Sequence, residues 1–558
     1  MSDLIARIPK VARGKSGIGA EERALAKKIL PYGPRAVPYL LPLLKSDKPG
    51  TAELTGFILS DIDGLTERDL DALTEARLRG NGWVPRAIGR IGTPRAIRLL
   101  IEDLEKDPEP ASNSQVVFAL VAAGGKAAVP LAKRFADSKP IGHALSSGIG
   151  HIFREMGESA ASAVDPLIAI VVDRAGNLQN RKDAAVALGC IGPVARRAVP
   201  ALKRLTAADP TDFADAVEAA IVEMRVPEAA PIHVARLRKK PDMRALRDLA
   251  ELGENGREAG PVLVDLLASH DPEIRVGAAR ALGFIGYAGS EIPLTKVLDD
   301  PDDWRLPYVA AESLGRLHAR RAVPGLEKLA AGHWYPPVRQ AARSAIERIR
   351  AKDRKDTREP RSNFAFEFFA YEDVGVREPV NRRPGKPGET LPAFVKAVDQ
   401  LNAAELATLS YDVEIIGYDA DGRHVTRTKS RPDCGLKLPG GYLLGSDRGE
   451  WGGELVFLDD KSRATRLIVK NTRGVYRMPF GIVAVCGLAH LTINDGALFL
   501  VAVPPRGEPR ASLWKSLPGA PSRSGMLSDG NLYIACQGGD IVVTPDGRMM
   551  MADQSSKR

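Results

Sequence analysis

Two periodicities divide this chain. Up to about residue 350, apolar and small residues recur every three or four positions, the spacing of helices with one buried face; from about residue 363 they recur every second position, the spacing of half-buried strands. In the stretch Ile274-Arg-Val-Gly-Ala-Ala-Arg-Ala-Leu-Gly-Phe-Ile-Gly286 the small and apolar positions predict a helix closed by glycine. The same pattern returns at Arg181–Gly192, Val309–Leu317 and Val338–Ile349. Alanines on one face let neighbouring helices approach closely, with Leu282, Leu314 and Ile346 filling the seam between them.

A second signature alternates with the first. Proline stands at the head of an apolar stretch, as in Ala198-Val-Pro-Ala-Leu202, and recurs at Pro38, Pro130, Pro166, Pro200, Pro231, Pro261, Pro293 and Pro324. The last five lie 31, 30, 32 and 31 residues apart. Proline lacks the N–H that has no partner in a first helical turn, so each marks the start of a second helix. The expected unit is a first helix, a glycine turn, a proline-started second helix and a return loop. About ten such units fit in 1–332, with 336–350 as a capping helix. One pair cannot bury its apolar face alone, but stacked pairs can.

This pattern resembles the short HEAT-like repeats of bacterial scaffold proteins and of phycobilin lyase subunits. The resemblance covers about 60% of the chain. It implies an α-solenoid over residues 1–350 and leaves activity open.

The charged, unpatterned stretch 351–362 reads as a linker. Beyond it, over 363–558, a mainly antiparallel β domain is expected. Phe364–Tyr371 and Tyr411–Tyr418 read as strands, with a loop at 376–389 and a helix at 391–409 between them. Strand–turn–strand units then recur at 441–458, 481–501 and 530–543, with Asp-Gly turns at Asp421, Asp495, Asp529 and Asp546. The recurrence resembles propeller blades, closed or open, so the fold class is multidomain: a HEAT-like α-solenoid followed by a propeller-like β domain.

Composition changes little in this picture. Over 558 residues a net charge of +9 is a mild excess, compatible with an anionic partner and no more. The four cysteines, Cys190, Cys434, Cys486 and Cys536, match no zinc spacing and read as buried free thiols. The stretch Met1–Lys10 lacks the apolar run of a signal peptide, and the apolar run Phe480–Ile493 is too short to span a bilayer. A cytoplasmic protein is expected.

No catalytic, cofactor-binding or metal-binding residue is assigned. Gly14-Lys15-Ser16 lacks the upstream glycine of a P-loop, with Pro9 in its place, and Ser512–Lys515 fits an S-x-x-K spelling without companion motifs. His143 and His151 lie eight apart without a metal frame, and Asp419–Gly422 lacks the remaining ligands of a calcium loop. Asp447, Glu450, Asp459 and Asp460, with Trp451 beside them, supply carboxylates near a glycine-rich turn; they read as exposed loop charges. Asp271 and Arg275 read as part of a ladder between repeats.

Basic residues after the second-helix prolines form the candidate binding surface. They are Lys133, Arg134, Lys203, Arg204, Arg236, Lys296 and Lys328, with Arg238, Lys239 and Lys240 adding a cluster. The expected function is a non-enzymatic scaffold with a protein partner, a complex subunit or a toxin to be neutralised, docking on the concave solenoid face and on the β domain. No cofactor and no membrane are expected. The alternative rests on resemblance to basic HEAT-like alkylpurine DNA glycosylases, which implies nucleic acid on a basic concave stripe. Trp83, Trp304, Trp334 and Tyr335 would be its aromatic candidates.

Overall fold

The computed structural model describes residues 1–12, 17–48, 50–106, 115–208, 212–351, 392–419, 422–490, 493–504 and 508–552. The Gly14–Ser16 triplet, the linker apart from Ala351, the strand at 364–371, the loop at 376–389 and the Asp421 turn lie outside them. By contact the chain forms two compact units, Met1–Ile232 and His233–Arg558.

In the first unit helices alternate as the sequence pattern expects. First helices at Val84–Ile91, Gln115–Ala123, His143–Met156 and Leu178–Ile191 are followed by second helices at Pro94–Lys106, Gly125–Lys133, Val164–Val172 and Val199–Ala208. Several first helices end on a glycine of positive φ, as at Gly92 (61°) and Gly192 (83°), where a side chain would be strained. Pro200 takes the second position of its helix, whereas Pro130 falls inside Gly125–Lys133, whose helix starts a turn earlier than the proline implies.

Successive first helices approach one another at a row of small residues. A Cβ on Gly189 would lie 3.0 Å from Ala220 Cα, and one on Gly89 would overlap the Ala119 carbonyl. The second unit continues this rule. Its first helices are Met243–Leu252, Pro272–Ile285, Arg305–Arg316 and Pro336–Arg350, alternating with Gly260–Leu266, Glu291–Lys296 and Val323–Gly332. Gly283 meets Ser313, and a Cβ on Gly315 would lie 3.1 Å from Ala345 Cα. Glycine faces alanine at most of these approaches, and Leu282, Leu314 and Ile346 are buried beside them.

The helix expected over 391–409 contracts to Ala403–Thr408. Val395 and Gln400 are instead bridged to Met526 and Leu436, and Leu401 N–H donates to Gly435 O at 3.1 Å. Pairing with the sheets outcompetes the local pattern, and Asn402 with Glu405 then caps the short helix that follows.

Fourteen described strands follow. The hairpin β1 (Tyr411–Asp419) and β2 (Gly422–Ser430) stands as a two-stranded sheet. Three four-stranded antiparallel sheets then form from consecutive strands. The first holds β3 (Cys434–Leu438), β4 (Gly441–Asp447), β5 (Gly453–Asp459) and β6 (Ala464–Ile468). The second holds β7 (Thr472–Met478), β8 (Gly481–His490), β9 (Ile493–Ala502) and β10 (Arg510–Ser516). The third holds β11 (Pro521–Met526), β12 (Leu532–Cys536), β13 (Ile541–Val543) and β14 (Met549–Met551).

Each expected strand–turn–strand unit is the central pair of one sheet. Asp529 and Asp546 are at turns, Gly530 and Gly547 having φ of 82°, but Asp495 lies inside β9, paired with Leu488. Alternation explains the stacking. Val475, Ile482, Ala484 and Cys486 of the middle sheet face the first sheet's Leu436, Leu443 and Leu455, while Tyr476, Val483, Val485 and Leu498 face the third sheet's Leu532, Ile534 and Ile541.

Within the second unit the last helical repeats are bonded to the sheets. Trp304 Nε1 donates to Leu517 O (3.2 Å), Tyr335 Oη to Gly538 O (3.3 Å), and Lys515 Nζ to Pro301 O (3.0 Å). Trp304 and Tyr335 meet edge to face, 4.7 Å between ring centres, and Trp334 packs on the third sheet's core.

Two predictions follow from this packing. Gly89→Ala should destabilise by roughly 1–3 kcal/mol despite alanine's better helix propensity, because its methyl group meets backbone. Gly332→Ala, which meets open space, should be neutral or gain about 0.5–1 kcal/mol. Leu282→Ala should cost roughly 2–5 kcal/mol. Urea denaturation of the three variants checks the register; a neutral Gly89→Ala or Leu282→Ala contradicts it.

The second concerns pH. Burial pushes His333, whose Nδ1 accepts from Tyr335 N–H at 3.0 Å, down to about 4. Between an unfolded value near 6.5 and 4 the unfolded chain binds the proton and the folded chain does not. The stability this gives is complete above about pH 6.5 and is lost as pH falls towards 4. His333→Asn keeps an acceptor without the titration, so thermal melts from pH 7 to 4.5 should show about 1–2 kcal/mol less loss than wild type; equal slopes would contradict the assignment.

Candidate interaction surfaces

The seven expected surface cations sit in different electrostatic settings. In the first unit Lys133 is exposed at the end of Gly125–Lys133, and Arg134 beside it pairs with Glu105 (2.6 Å) and Asp137 (3.2 Å). Lys203 and Arg204 are exposed on Val199–Ala208; Lys203 adds to the field that holds Glu228 low, and Arg204 Nε donates to Pro200 O at 3.3 Å. In the second unit Arg236 is half-buried, Lys296 is exposed, and Lys328 pairs with Asp299 at 2.8 Å.

Pairing across about one repeat is the common pattern. Arg197 meets Asp165 (2.8 Å), Arg196 meets Glu228 (2.9 Å), and Arg77 pairs with Asp103 in the first unit. Arg305 meets Glu273 (2.6 Å) in the second. Asp271 caps its own helix at Glu273 N, and Arg275 lies 3.9 Å from Asp300 of the next repeat. Such partly exposed pairs contribute little energy each, but they bind cations to the protein itself.

The carboxylates singled out in the sequence do not converge. Asp447 and Glu450 are at the β4–β5 turn and Asp459 and Asp460 at the opposite end of β5. Asp447 pairs with Arg473 (3.0 Å), Glu450 with His490 (3.1 Å) and Asp459 with Arg463 (2.7 Å).

The carboxylate that organises this region is Glu454, which sequence reasoning missed. It is 3% exposed and accepts from Arg448 Nη1 and Nη2 (both 2.6 Å), Ser446 Oγ (2.7 Å) and Tyr411 Oη (2.9 Å). Burial alone would raise its pKa; the donors outweigh that and hold the carboxyl below its ordinary value. Its carboxylate, met by four donors, is a clamp tying β1, β4 and β5.

The clamp anchors the turn that follows β4. Arg448 N–H donates to Asn471 Oδ1 (3.1 Å) and to Gly452 O (3.0 Å), Asn471 Nδ2 donates to Gly449 O (2.8 Å), and Gly449 N–H donates to Asp447 Oδ1 (3.1 Å). Gly449 (φ 60°) and Gly452 (φ 80°) permit its tight path. On this pinned turn Trp451 is 74% exposed, and Val469, two residues before Asn471, is 71% exposed. The glycines bracketing Trp451 were the available sequence signal.

Other features are internal. Trp304, Trp334 and Tyr335 join the repeats to the sheets, and Trp83 packs edge to face on Phe57, 5.0 Å between centres. The cysteines are free; burial pushes the Cys486 thiol up to about 12 and Cys536 further, so neither is a ready nucleophile. An open groove of about 690 Å³ between the hairpin and β6 is lined by Thr428, Lys429, Ala464 and Arg466 among others. Among the described residues no three His, Cys, Asp or Glu side chains are grouped to hold a metal, and no single helix is long and apolar enough to cross a membrane.

No curated protein matches the chain. Many solved structures match parts of it, among them these three. Human deoxyhypusine hydroxylase in complex with glycerol is 19% identical over 46% of this chain and 96% of that one, with a TM-score of 0.19. The complex of CpcE and CpcF of phycocyanin lyase from Nostoc sp. PCC7120 is 22% identical over 47% and 90%, with a TM-score of 0.22. Kap121p is 14% identical over 62% and 49%, with a TM-score of 0.30. A family model, HEAT repeats, matches residues 237–314 and 261–347. With the helix pairs already described, this places HEAT repeats at 237–347 within a helical-repeat region that is followed by C-terminal antiparallel sheets.

Proposed function

We propose that this chain is a non-enzymatic docking scaffold whose partner is a protein, held in part by the Trp451 turn and in part by the helical repeats. The observation that carries the reading is Trp451 itself. A large apolar ring is displayed to solvent on a turn fixed by hydrogen bonds to and from Asn471. Tryptophan dominates binding energy at protein interfaces, and a turn already rigid loses little freedom on association. The repeats add an extended surface over which further contacts are spread.

Two observations favour this over a nucleic-acid partner. Arg134 and Lys328 of the expected basic stripe are bound to carboxylates, and Trp304, Trp334 and Tyr335 are engaged within the second unit. In this reading the three stacked meanders are an open, propeller-like arc, and the partner is a complex subunit or a toxin held inactive.

Affinity capture from nuclease-treated native lysate tests it. The wild-type chain should retain a defined protein, and Trp451→Ala should reduce retention by about tenfold or more while leaving the melting temperature unchanged. Retention that requires nucleic acid, or equal retention by both proteins, would overturn the reading.

A further inference from the structure

Five cations stand within nine residues at the end of the helix Ala230–Lys239, in the turn after it and at the start of the next helix Met243–Leu252: Arg236, Arg238, Lys239, Lys240 and Arg244. All but Arg236 are exposed. The acid in this stretch, Asp242, is engaged in capping the next helix at Ala245 N (2.8 Å), and Arg244 reaches Asp248 only at 4.0 Å. Among the described residues no carboxylate lies within ion-pair distance of Arg236, Arg238, Lys239 or Lys240. This departs from the rule followed by Arg134, Arg196, Arg197, Arg305 and Lys328, each neutralised from about one repeat away.

The local positive potential is felt inside the protein. His233, buried one turn before Arg236, is pushed down to about 4, first by burial and then by Arg236, with Arg244 adding and Asp242 opposing. Cations in a last helical turn are favoured by the helix dipole, but that field fades within the turn. It accounts for Arg236, Arg238 and Lys239 and leaves Lys240 without a structural cause. Uncompensated like charges repel, so the cluster weakens the free protein unless an anion meets it.

We infer that Arg236, Arg238, Lys239, Lys240 and Arg244 form a docking spot for a short run of aspartates and glutamates on a protein partner. The inference rests on the scaffold reading above and names the chemistry of one contact. Size favours an acidic peptide over nucleic acid. Arg236 to Lys240 spans about 6 Å of helix axis, room for two or three carboxylates but not for a phosphate track. The track is also broken further along: the next second helix exposes Asp265, and Lys328 is bound to Asp299.

Fluorescence anisotropy with the full chain tests this, using a labelled octapeptide of alternating Asp and Glu, its Asn and Gln counterpart, and a short duplex DNA. The acidic peptide should bind in preference to the neutral one, and Arg238→Gln/Lys239→Gln/Lys240→Gln should weaken it about tenfold, with an unchanged or higher melting temperature. No binding of the acidic peptide, equal binding by the variant, or tighter binding of DNA that the variant also loses would overturn the inference. A lower melting temperature with unchanged binding would assign the cluster to the helix instead. If the triple variant captures the same lysate protein as wild type while Trp451→Ala does not, the docking spot fails and the scaffold reading stands. If wild type captures no protein, the scaffold reading itself fails.

Discussion

The close approach of successive first helices at their small residues is the constraint on which the repeats depend. A short amphipathic pair buries only part of its apolar face, so each pair needs the next within van der Waals reach. Gly89 against Ala119, Gly189 against Ala220 and Gly315 against Ala345 allow that reach, and buried leucines such as Leu282 and Leu314 fill the space it leaves. Side chains of ordinary size at these positions would separate the helices and open the core.

Charge is arranged around that seam. Salt bridges spanning about one repeat, such as Arg197–Asp165 and Arg305–Glu273, add modest energy individually and favour one register of stacking over another. They also neutralise Arg134 and Lys328, two of the cations that could otherwise form a basic docking track. A basic residue is therefore informative here only after its neighbours one repeat away are known, and by that measure Arg238–Lys240 differ from Arg134 and Lys328.

In the sheets, order comes from one buried carboxylate and from alternation. The middle sheet sends successive residues of β7 and β8 to opposite neighbours, so three meanders share two cores. Glu454 gathers Arg448, Ser446 and Tyr411 and thereby holds the turn that displays Trp451. Trp304 and Tyr335, from the last repeats, donate to the turns following β10 and β12, which brings helices and sheets into one compact unit.

The sequence alone determined the local structure of the repeats, because helix period, the proline at a helix head and the glycine at a helix end are all short-range effects. It also located the central strand pair of each sheet, from alternation and turn residues within about twenty positions. It did not reveal the outer strands of the sheets, the contraction of the 391–409 helix, or the clamp at Glu454. Those depend on partners distant in sequence: Val395 bridges to Met526, and Glu454 bonds to Tyr411 43 residues away. Which cations remain unpaired and which aromatics remain exposed was likewise decided only by tertiary structure, since pairing and burial are properties of neighbours in space. Trp304 and Trp451 are both tryptophans beside charged residues in the sequence, yet one donates to Leu517 O inside the second unit and the other faces solvent.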